Sequence, residues 1–507
     1  MLFAELVAAS TRVAATSSRL AKVREIADLL RSVSAEEVEV AIAYLSGELP
    51  QGRIALGYAA LNAARTDPAA APTLQLTEVN AAFGALKSTT GKGSAAARNR
   101  ILKNLFQKAT AQEQDFVVRL VVGELRQGAL EGIMVEALAA ASGVPAPQVR
   151  RATMFAGGLA PVARALFAKE PLDKFATRVM QPVLPMLAEP AADAASALAS
   201  FGTAALEWKI DGARVQAHKQ GDDIRVFTRT LKPVTHAVPE VVEVLRKARA
   251  GSLILDGEVI ALRADGRPHP FPVTMRRFGR KLDIEALQSE LPLSVFFFDC
   301  LFADDAALTD QPLSHRRSVL EKTGVPLTPY KITDDAAEAE AFYQDALAHG
   351  HEGIMAKALD SLYEAGRRGA TWLKVKRAHT LDLVVLAAEW GHGRRRGWLS
   401  NLHLGARDPA SGNYVMLGKT FKGMTDEMLE WQTKIFTSRA VSQDEWVVRL
   451  PPEFVVEIEF NDLQESSQYP GGLALRLARV KRYRPDKRAE DADTIDTVRR
   501  IYEQSIA

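Results

Sequence analysis

The pattern of apolar residues changes after Pro171, and this change most narrows what the chain can fold into. Before it, apolar residues recur three or four positions apart within residues 20–30, 101–106 and 116–121, and Gly and Pro collect between such runs. That spacing lines one face of an α-helix. After it come short apolar runs bounded by Gly, Asp and Pro, which is typical of buried strands. The chain is therefore predicted to begin with an all-helical domain and to continue into β-rich domains.

The β-rich part divides at a second change, after Lys376. Strand-like runs lie before it at 224–228, 253–255 and 295–298, and after it at 383–386, 401–404, 414–417 and 455–460. In the last run Val456, Ile458 and Phe460 alternate with glutamates, as in a strand buried on one face. We expect a multidomain α and α+β protein: a helical domain (1–175), an α/β domain (176–377) and a small β-barrel or sandwich (378–507).

Composition excludes several classes of protein. Of the 507 residues, 47% are hydrophobic and 25% are charged, which is ordinary globular composition. Arg119, Glu124 and Glu136 interrupt the longest apolar stretches before they reach the roughly 18 residues of a membrane helix. Glu5 and the lack of a basic leader argue against a secretory signal. A single cysteine, Cys300, excludes a disulfide framework and a cysteine-built zinc site. Together these features predict a cytoplasmic protein that is not bound to membranes. We also expect it to be a monomer.

Six short charged motifs follow one another between the two changes in pattern. They are residues 207–214 (EWKIDGAR), 228–229 (TR), 255–259 (LDGEV), 296–299 (FFFD), 352–357 (EGIMAK) and 372–376 (WLKVK). Each alone has an ordinary explanation. Lys209 before Asp-Gly is typical of a charged turn, Glu258 of a solvated loop, Glu352 of a helix N-terminus and Phe298 of a core.

The ordered series, however, resembles the covalent nucleotidyltransferase superfamily of DNA ligases, RNA ligases and mRNA capping enzymes. The resemblance implies that Lys209 is the nucleophile and becomes N6-AMP-lysine, with ATP and a divalent metal, most simply Mg²⁺, as cofactors. It implies that Phe298 stacks on adenine, that Lys376 contacts phosphate, and that Glu258 and Glu352 lie on the metal side. The implied ATP-binding residues are Glu207, Arg214, Arg229, Glu258, Phe298, Arg368 and Lys374.

The chemistry of a lysine nucleophile explains why cations would surround it. An amine attacks phosphorus only when neutral, and its ordinary pKa is about 10.4. Bringing the pKa near 7 costs about 4 kcal/mol. We therefore expect Lys374, Lys376 and a bound metal to lower the pKa of Lys209 and to stabilise the negative charge that develops on the phosphates.

A dense group of cations lies near the C-terminus. Its members are Arg476, Arg479, Lys481, Arg482, Arg484, Lys487 and Arg488. Because the net charge is only +2, phosphate contacts must come from such local clusters. By itself the run indicates a solvated face or a nucleic-acid patch. It also resembles the last ligase motif, on an oligonucleotide-binding (OB) fold, with Leu477 where an aromatic is common. The resemblance implies that Lys481 and Lys487 contact pyrophosphate when this domain closes over the nucleotide.

The helical region indicates the branch of the superfamily. Gly93-Ser94, Arg98, Leu102 and residues 126–132 (RQGALEG) resemble the DNA-binding domain of archaeal and eukaryotic replicative-type ATP-dependent DNA ligases, and residues 182–188 resemble their entry into the adenylation domain. The three domains would then be DNA-binding, adenylation and OB-fold. The cations that we expect to contact phosphates are Arg98, Arg100, Lys103 and Lys108.

The implied function is sealing of nicked duplex DNA during replication, repair or recombination. No feature indicates a sliding clamp or a partner protein. Two rival interpretations remain open. One is an RNA ligase or a capping-type enzyme, and the other is a non-catalytic DNA-binding protein on the same scaffold. An unrelated α/β protein would need several motif coincidences in order.

Overall fold

The computed structural model of the protein describes residues 1–125, 127–129, 131–279, 288–364, 368–392 and 395–506. The helices are α1 (Phe3–Ala15), α2 (Arg19–Ser32), α3 (Val38–Leu45), α4 (Tyr58–Ala63), α5 (Leu76–Ser88), α6 (Ser94–Lys108), α7 (Ala111–Val122), α8 (Glu131–Ser142), α9 (Ala146–Ala156), α10 (Leu159–Phe167), α11 (Ala194–Ala199), α12 (Pro239–Arg246), α13 (Phe271–Gly279), α14 (Leu313–Lys322), α15 (Ala336–Ala348), α16 (Asp426–Ser438) and α17 (Ile495–Ile506).

The strands are β1 (Leu187–Pro190), β2 (Ala204–Trp208), β3 (Ala213–Gln220), β4 (Asp223–Thr228), β5 (Ser252–Ala261), β6 (Leu293–Ala303), β7 (Ala306–Ala307), β8 (Tyr330–Thr333), β9 (Gly353–Ala358), β10 (Arg368–Lys376), β11 (His379–Trp390), β12 (Leu399–Arg407), β13 (Tyr414–Thr420), β14 (Ser442–Gln443), β15 (Val447–Arg449), β16 (Val455–Phe460), β17 (Asp462–Glu465), β18 (Leu473–Arg476) and β19 (Arg479–Tyr483).

Helices α1 to α10 form the helical domain around one apolar core, which confirms the all-helical prediction. Phe3, Phe83 and Phe116 are completely buried in this core. Helix α7 begins with a capping box, in which the Thr110 hydroxyl accepts from the backbone N–H of Glu113 and the Glu113 carboxylate accepts from that of Thr110. Among the described residues, no helix is long and apolar enough to cross a membrane.

The central domain contains two five-stranded sheets, in the orders β1-β10-β9-β2-β8 and β4-β3-β5-β6-β7. Helices α11 and α15 pack against the first sheet, and α12 and α14 against the second. A third apolar cluster, which includes Ile254, Leu301 and Trp372, lies between the two sheets. The sheets therefore face each other, with a cleft between the inner faces and helices outside, as the α/β prediction requires.

The C-terminal β domain follows β10 after a two-residue link at 377–378. Its main sheet has the order β13-β12-β11-β15-β14, with β16 paired to both β11 and β19, and β17–β18 form a separate hairpin. In β16, Val456, Ile458 and Phe460 are buried and the intervening glutamates are half-buried, which confirms the predicted alternation.

The helical and central domains are joined by polar and apolar contacts. Arg151 donates from both terminal guanidinium nitrogens to the carboxylate of Asp310, at 2.5 and 2.6 Å. Met154 and Phe155 of α9 pack in the cluster that contains Trp372. The DNA-binding region predicted from the sequence is thus fixed against the wall of the cleft.

Candidate active site

Strand register places the predicted nucleotide-binding residues on one inner face of the cleft. Glu207 of β2 pairs with Met355 of β9, and Met355 pairs with Lys374 of β10. Two pairs further along, Gly353 lies opposite Lys376. Because side chains alternate along a strand, Glu207, Met355 and the two lysines project to the same side.

Lys209 lies in the loop between β2 and β3, as its position before Asp-Gly predicted. Its backbone N–H donates to the Gly353 carbonyl at 2.8 Å, and its carbonyl accepts from the Glu352 N–H at 3.1 Å. The glycine of this Asp-Gly pair, Gly212, is required by close packing. A Cβ at Gly212 would lie 2.3 Å from the carbonyl oxygen of Val259, so the close approach of β5 excludes any side chain there.

Glu352 joins two of the predicted lysines. Its Oε2 lies 2.5 Å from Nζ of Lys209, and its Oε1 lies 2.8 Å from Nζ of Lys376. The three side chains are 20–25% exposed, so they are shielded from bulk water but open to a ligand. The structure therefore brings the predicted nucleophile, metal-side carboxylate and phosphate contact into one cluster.

The pKa of Lys209 lies above its ordinary value. Burial is the largest influence and lowers it, but the carboxylates of Glu352, Glu258 and Asp211 together outweigh burial. The prediction that neighbouring lysines lower this pKa is wrong for the protein alone, because Glu352 neutralises Lys376. A ligand cation that draws the carboxylates away must arrive before the amine can lose its proton.

Glu258 lies opposite Arg214 in the β3–β5 ladder. Burial raises the pKa of Glu258 to about 7, and the nearby Lys209 and Arg214 offset this only in part. Within the described part of the chain, no three His, Cys, Asp or Glu side chains form a ready-made metal cage. Mg²⁺ commonly takes one or two carboxylates and completes its shell with water and substrate phosphates. Glu258 and Glu352 fit that role, because a divalent cation would favour their ionised forms.

Glu258→Gln is expected to stabilise the nucleotide-free protein at pH 8. A carboxyl whose pKa is about 7 folded and about 4.5 unfolded binds an extra proton in the folded state. Stability is then lost as pH rises from about 4.5 to about 7, and the loss persists above that; it amounts to at most about 3 kcal/mol. Melting temperatures in EDTA at pH 5 and pH 8 test this, with a larger gain expected at pH 8.

The matched control is Glu338→Gln, which removes an exposed carboxylate 3.1 Å from Lys331 in the same domain. This variant should gain nothing at pH 8. An equal shift for Glu258→Gln at both pH values would contradict the raised pKa of Glu258.

A buried polar group supports the cleft from the β5 side. Arg214 donates to Asp256 at 2.8 Å and to the Met186 carbonyl at 2.7 Å, and the Tyr363 hydroxyl donates to Asp256 at 2.5 Å. Neither Asp256 nor Tyr363 is among the site residues predicted from the sequence. Asp256 lies two positions before Glu258 on the same face of β5, a spacing that could have identified it. No local signal marks Tyr363.

The other end of the cleft holds a second ion pair. Nζ of Lys357 lies 2.5 Å from the buried carboxylate of Glu207, and 4.7 and 4.2 Å from the ring centroids of Phe298 and Trp372. Burial raises the pKa of Glu207, although Lys357 lowers it in part. The second oxygen of Glu207 lies 3.8 Å from a terminal guanidinium nitrogen of Arg317, and among the described residues neither this oxygen nor the indole nitrogen of Trp372 has a hydrogen-bond partner. Buried polar atoms in this state fit a ligand with a hydrogen-bonding edge.

Three further predicted ATP-binding residues lie on β10 or in the turn after β4. Lys374 is half-buried on β10. Arg229 is exposed in the turn after β4, one residue beyond the Val215–Thr228 pair and so alongside Arg214 in the register. Arg368 begins β10, but its side chain lies outside the described residues, as does all of Arg367.

Lys481 and Lys487 are bound to carboxylates of their own domain. Nζ of Lys481 lies 3.7 Å from Glu457, and Nζ of Lys487 lies 2.6 Å from Asp382. A different cation, Arg476, reaches the loop of Lys209 and lies 3.6 Å from Asp211. The structure therefore shows the C-terminal β domain docked at the cleft with its two predicted pyrophosphate contacts turned to other partners.

The predicted DNA contacts of the helical domain lie on α6. This helix begins at Ser94, after Gly93 in a left-handed conformation with φ of 82°. Arg100 and Lys103 are exposed, and Lys108 lies 3.3 Å from Glu78.

In the segment 126–132, positions 126 and 130 lie outside the described residues. Gln127 anchors the rest, because its side chain accepts from the Ser10 hydroxyl and donates to the Leu45 carbonyl. The Gln127 carbonyl accepts from Nζ of Lys22 at 2.5 Å. The segment is thus held by the first three helices of the domain.

A half-buried lysine beside carboxylates and further lysines, in a cleft between two sheets, is the arrangement of a covalent nucleotidyltransferase. Family models support this class and specify it. The models described as "DNA ligase N terminus", "ATP dependent DNA ligase domain" and "ATP dependent DNA ligase C terminal region" match residues 55–139, 185–376 and 395–487. The chain belongs to the ATP-dependent DNA ligase family.

Similar proteins agree over the whole length. A "Probable DNA ligase" of Anaeromyxobacter sp. (strain Fw109-5) is 58% identical over 515 residues, covering 100% of this chain and 99% of that protein. A "Probable DNA ligase" of Sorangium cellulosum (strain So ce56) is 52% identical, covering 100% of this chain and 96% of that protein. A solved structure described as "Pmar-Lig_PreS3" shares the fold, with a TM-score of 0.62 and 19% identity over 94% of this chain and 99% of that one.

Proposed function

We propose that this chain seals nicks in duplex DNA with ATP and Mg²⁺, using Lys209 as the nucleophile. The observation that supports this most is the Glu352 carboxylate between Nζ of Lys209 and Nζ of Lys376. That arrangement places a potential nucleophile, a metal-side carboxylate and a phosphate-binding cation within one ion-pair network. We also propose a cytoplasmic location with DNA, where replication, repair and recombination create nicks.

The proposed reaction has three steps. In the first, Nζ of Lys209 attacks the α-phosphorus of ATP, forms a P–N bond and releases pyrophosphate while the amine loses its proton. In the second, an oxygen of the 5′-phosphate at the nick attacks the same phosphorus, and the P–N bond breaks. In the third, the 3′-hydroxyl attacks the activated 5′-phosphate, and AMP leaves as the phosphodiester bond forms. Covalent catalysis divides one difficult displacement into easier ones.

The residues on the inner face of the cleft suit ATP with its base at one end of the cleft and its phosphates at the other. Glu207, Lys357, Phe298 and Trp372 surround the end that suits a flat, polar-edged base. Lys209, Lys374 and Lys376 lie toward the other end, where the phosphates would be. Mg²⁺, held by Glu258 and Glu352, would add positive charge there and withdraw both carboxylates from Lys209.

Donor and acceptor preference separates this proposal from an RNA ligase or a capping-type enzyme. We expect label to pass to the protein from ATP and not from GTP, and we expect a nicked DNA duplex to be sealed faster than a nicked RNA duplex. Label transfer is compared with α-labelled ATP and α-labelled GTP, and sealing is compared with a DNA duplex and an RNA duplex of the same sequence. Preferential transfer from GTP, or preferential sealing of RNA, would favour the alternative.

Lys487→Ala is expected to slow formation of the lysyl-AMP by about tenfold or more, because a cation that contacts pyrophosphate acts only in the first step. Sealing of DNA that already carries a 5′-adenylate should stay close to the wild-type rate. Single-turnover assays with α-labelled ATP and with pre-adenylated nicked DNA separate the two steps. If sealing collapsed while adenylation stayed intact, Lys487 would belong to a later step.

A further inference from the structure

Asp382 is a nearly buried carboxylate that holds two cations of the C-terminal motif. Its Oδ2 lies 2.6 Å from Nζ of Lys487 and 2.9 Å from a terminal guanidinium nitrogen of Arg484. The backbone of Asp382 is also fixed, because its N–H donates to the Asp493 carboxylate and its carbonyl accepts from the Asp493 N–H, both at 2.8 Å. The two ion pairs from Asp382 to Arg484 and Lys487 are called the Asp382 contact below.

The two cations differ in how much of their charge remains for a ligand. Arg484 is already shared among carboxylates: it also donates to Asp486 at 2.6 and 2.9 Å and lies 3.9 Å from Glu457. Glu457 is the direct cross-strand neighbour of Asp382 in the β11–β16 ladder. Two like charges in that position repel each other, and Arg484 between them offsets the repulsion. Arg484 therefore has a structural partner whether or not Lys487 is present.

Lys487 has no such second role among the described contacts. Its side chain is 32% exposed, and among the described residues its ion pair is the one with Asp382. A carboxylate at 2.6 Å takes the place that a phosphate oxygen would occupy. While the Asp382 contact is intact, Lys487 offers little net charge to pyrophosphate.

The Asp382 contact also lies close to the point where the C-terminal β domain can turn. Asp382 follows the 377–378 link by a few residues on β11, and the Arg377 N–H donates to the Glu352 carbonyl at 3.0 Å. In the same structure the domain meets the cleft through Arg476 and Asp211, 3.6 Å apart. When the domain is docked in this way, Arg476 faces the loop of Lys209, and Lys487 is bound to Asp382.

We propose that Asp382 is an autoinhibitory residue that holds Lys487 away from ATP, so that breaking the Asp382 contact is part of the first step. The contact would keep Lys487 neutralised while the C-terminal β domain takes part in the DNA steps. When this domain turns toward the cleft, ATP would compete with Asp382 for Lys487. This inference rests on the proposed adenylation of Lys209 and adds a control on that step.

The test is the single-turnover rate of adenylation of Asp382→Asn at ATP concentrations below saturation. Because Lys487 then loses its ion pair with Asp382, the rate should rise by about three- to tenfold. Sealing of pre-adenylated nicked DNA should not change. In the background Lys487→Ala, Asp382→Asn should give no gain, because the freed cation is no longer there. A slower adenylation, an unchanged rate, or a gain that survives in the double variant would overturn the proposal.

The matched control is Asp444→Asn, which removes an exposed carboxylate of the same domain that lies 3.2 Å from Arg449 and leaves Lys487 paired. It should adenylate at the wild-type rate, and an equal gain would count against a specific role of Asp382. Melting curves confirm folding, and Asp382→Ser serves in place of Asn if the amide is not tolerated beside Arg484.

The same experiment distinguishes the two proposals. If wild-type protein takes no label on Lys209, the proposed function fails. If the wild type is labelled normally and Asp382→Asn is no faster, only the inhibitory role of Asp382 fails.

Discussion

Lys209→Ala is expected to abolish transfer of AMP to the protein, with a loss of at least about a thousand-fold. The reason is chemical, since Lys209 supplies the amine that forms the P–N bond in the proposed first step. Its backbone is locked to residues 352 and 353, and its Nζ lies 2.5 Å from Glu352. Incubation with α-labelled ATP and Mg²⁺, followed by denaturing electrophoresis, measures the covalent product directly.

Lys209→Arg is the matched control for this loss. Arginine keeps the positive charge and the ion pair with Glu352, but its guanidinium stays protonated at any usable pH and cannot attack phosphorus. It should therefore be as inactive as the alanine variant while melting closer to the wild type. Label that persisted on either variant would mean that another side chain is the nucleophile.

Glu352→Gln is expected to lower the rate of adenylation by on the order of 100-fold. The carboxylate holds Lys209 and Lys376 in one arrangement, and the amide cannot replace its charge toward a metal. The residual reaction should also show a second effect. Glu352 is the carboxylate that most strongly raises the pKa of Lys209, so its removal should lower that pKa and move the pH profile to lower pH.

Measurement of the adenylation rate from pH 6 to pH 10 tests both effects. Glu338→Gln, which removes a carboxylate paired with Lys331 outside the cleft, should leave the rate and the profile unchanged. A slower Glu352→Gln variant whose pH profile coincides with that of the wild type would contradict the electrostatic role given to Glu352.

Element types could be predicted from the sequence because they depend on local patterns. Residues 101–106 form part of α6, and residues 455–460 form β16 with the expected apolar face buried and the glutamates half-buried. The helix around Leu20 was also predicted, yet Leu20 is 79% exposed. It lies in the first turn of α2, and the residues that pack into the core begin at Val23.

The composition of the cleft could be predicted only in part. The motif resemblance assembled Lys209, Glu352 and Lys376, and the register of β2, β9 and β10 places them together. The pairing of Lys487 with Asp382 could not be foreseen, because the two are 105 residues apart and neither has a local signal for the other. The predicted direction of the pKa shift of Lys209 was wrong for the same reason, because it depends on which carboxylates face the amine in three dimensions.

The most direct test of the account is to locate the AMP group on the wild-type protein. After incubation with ATP and Mg²⁺, tryptic peptides are analysed by mass spectrometry. The account predicts AMP on Lys209, with tryptic cleavage blocked after that residue. If the adenylated protein is freed of ATP and treated with pyrophosphate and Mg²⁺ before digestion, the same peptide should be unmodified. AMP on Lys374 or Lys376 instead, or no modified peptide under conditions in which nicks are sealed, would contradict it.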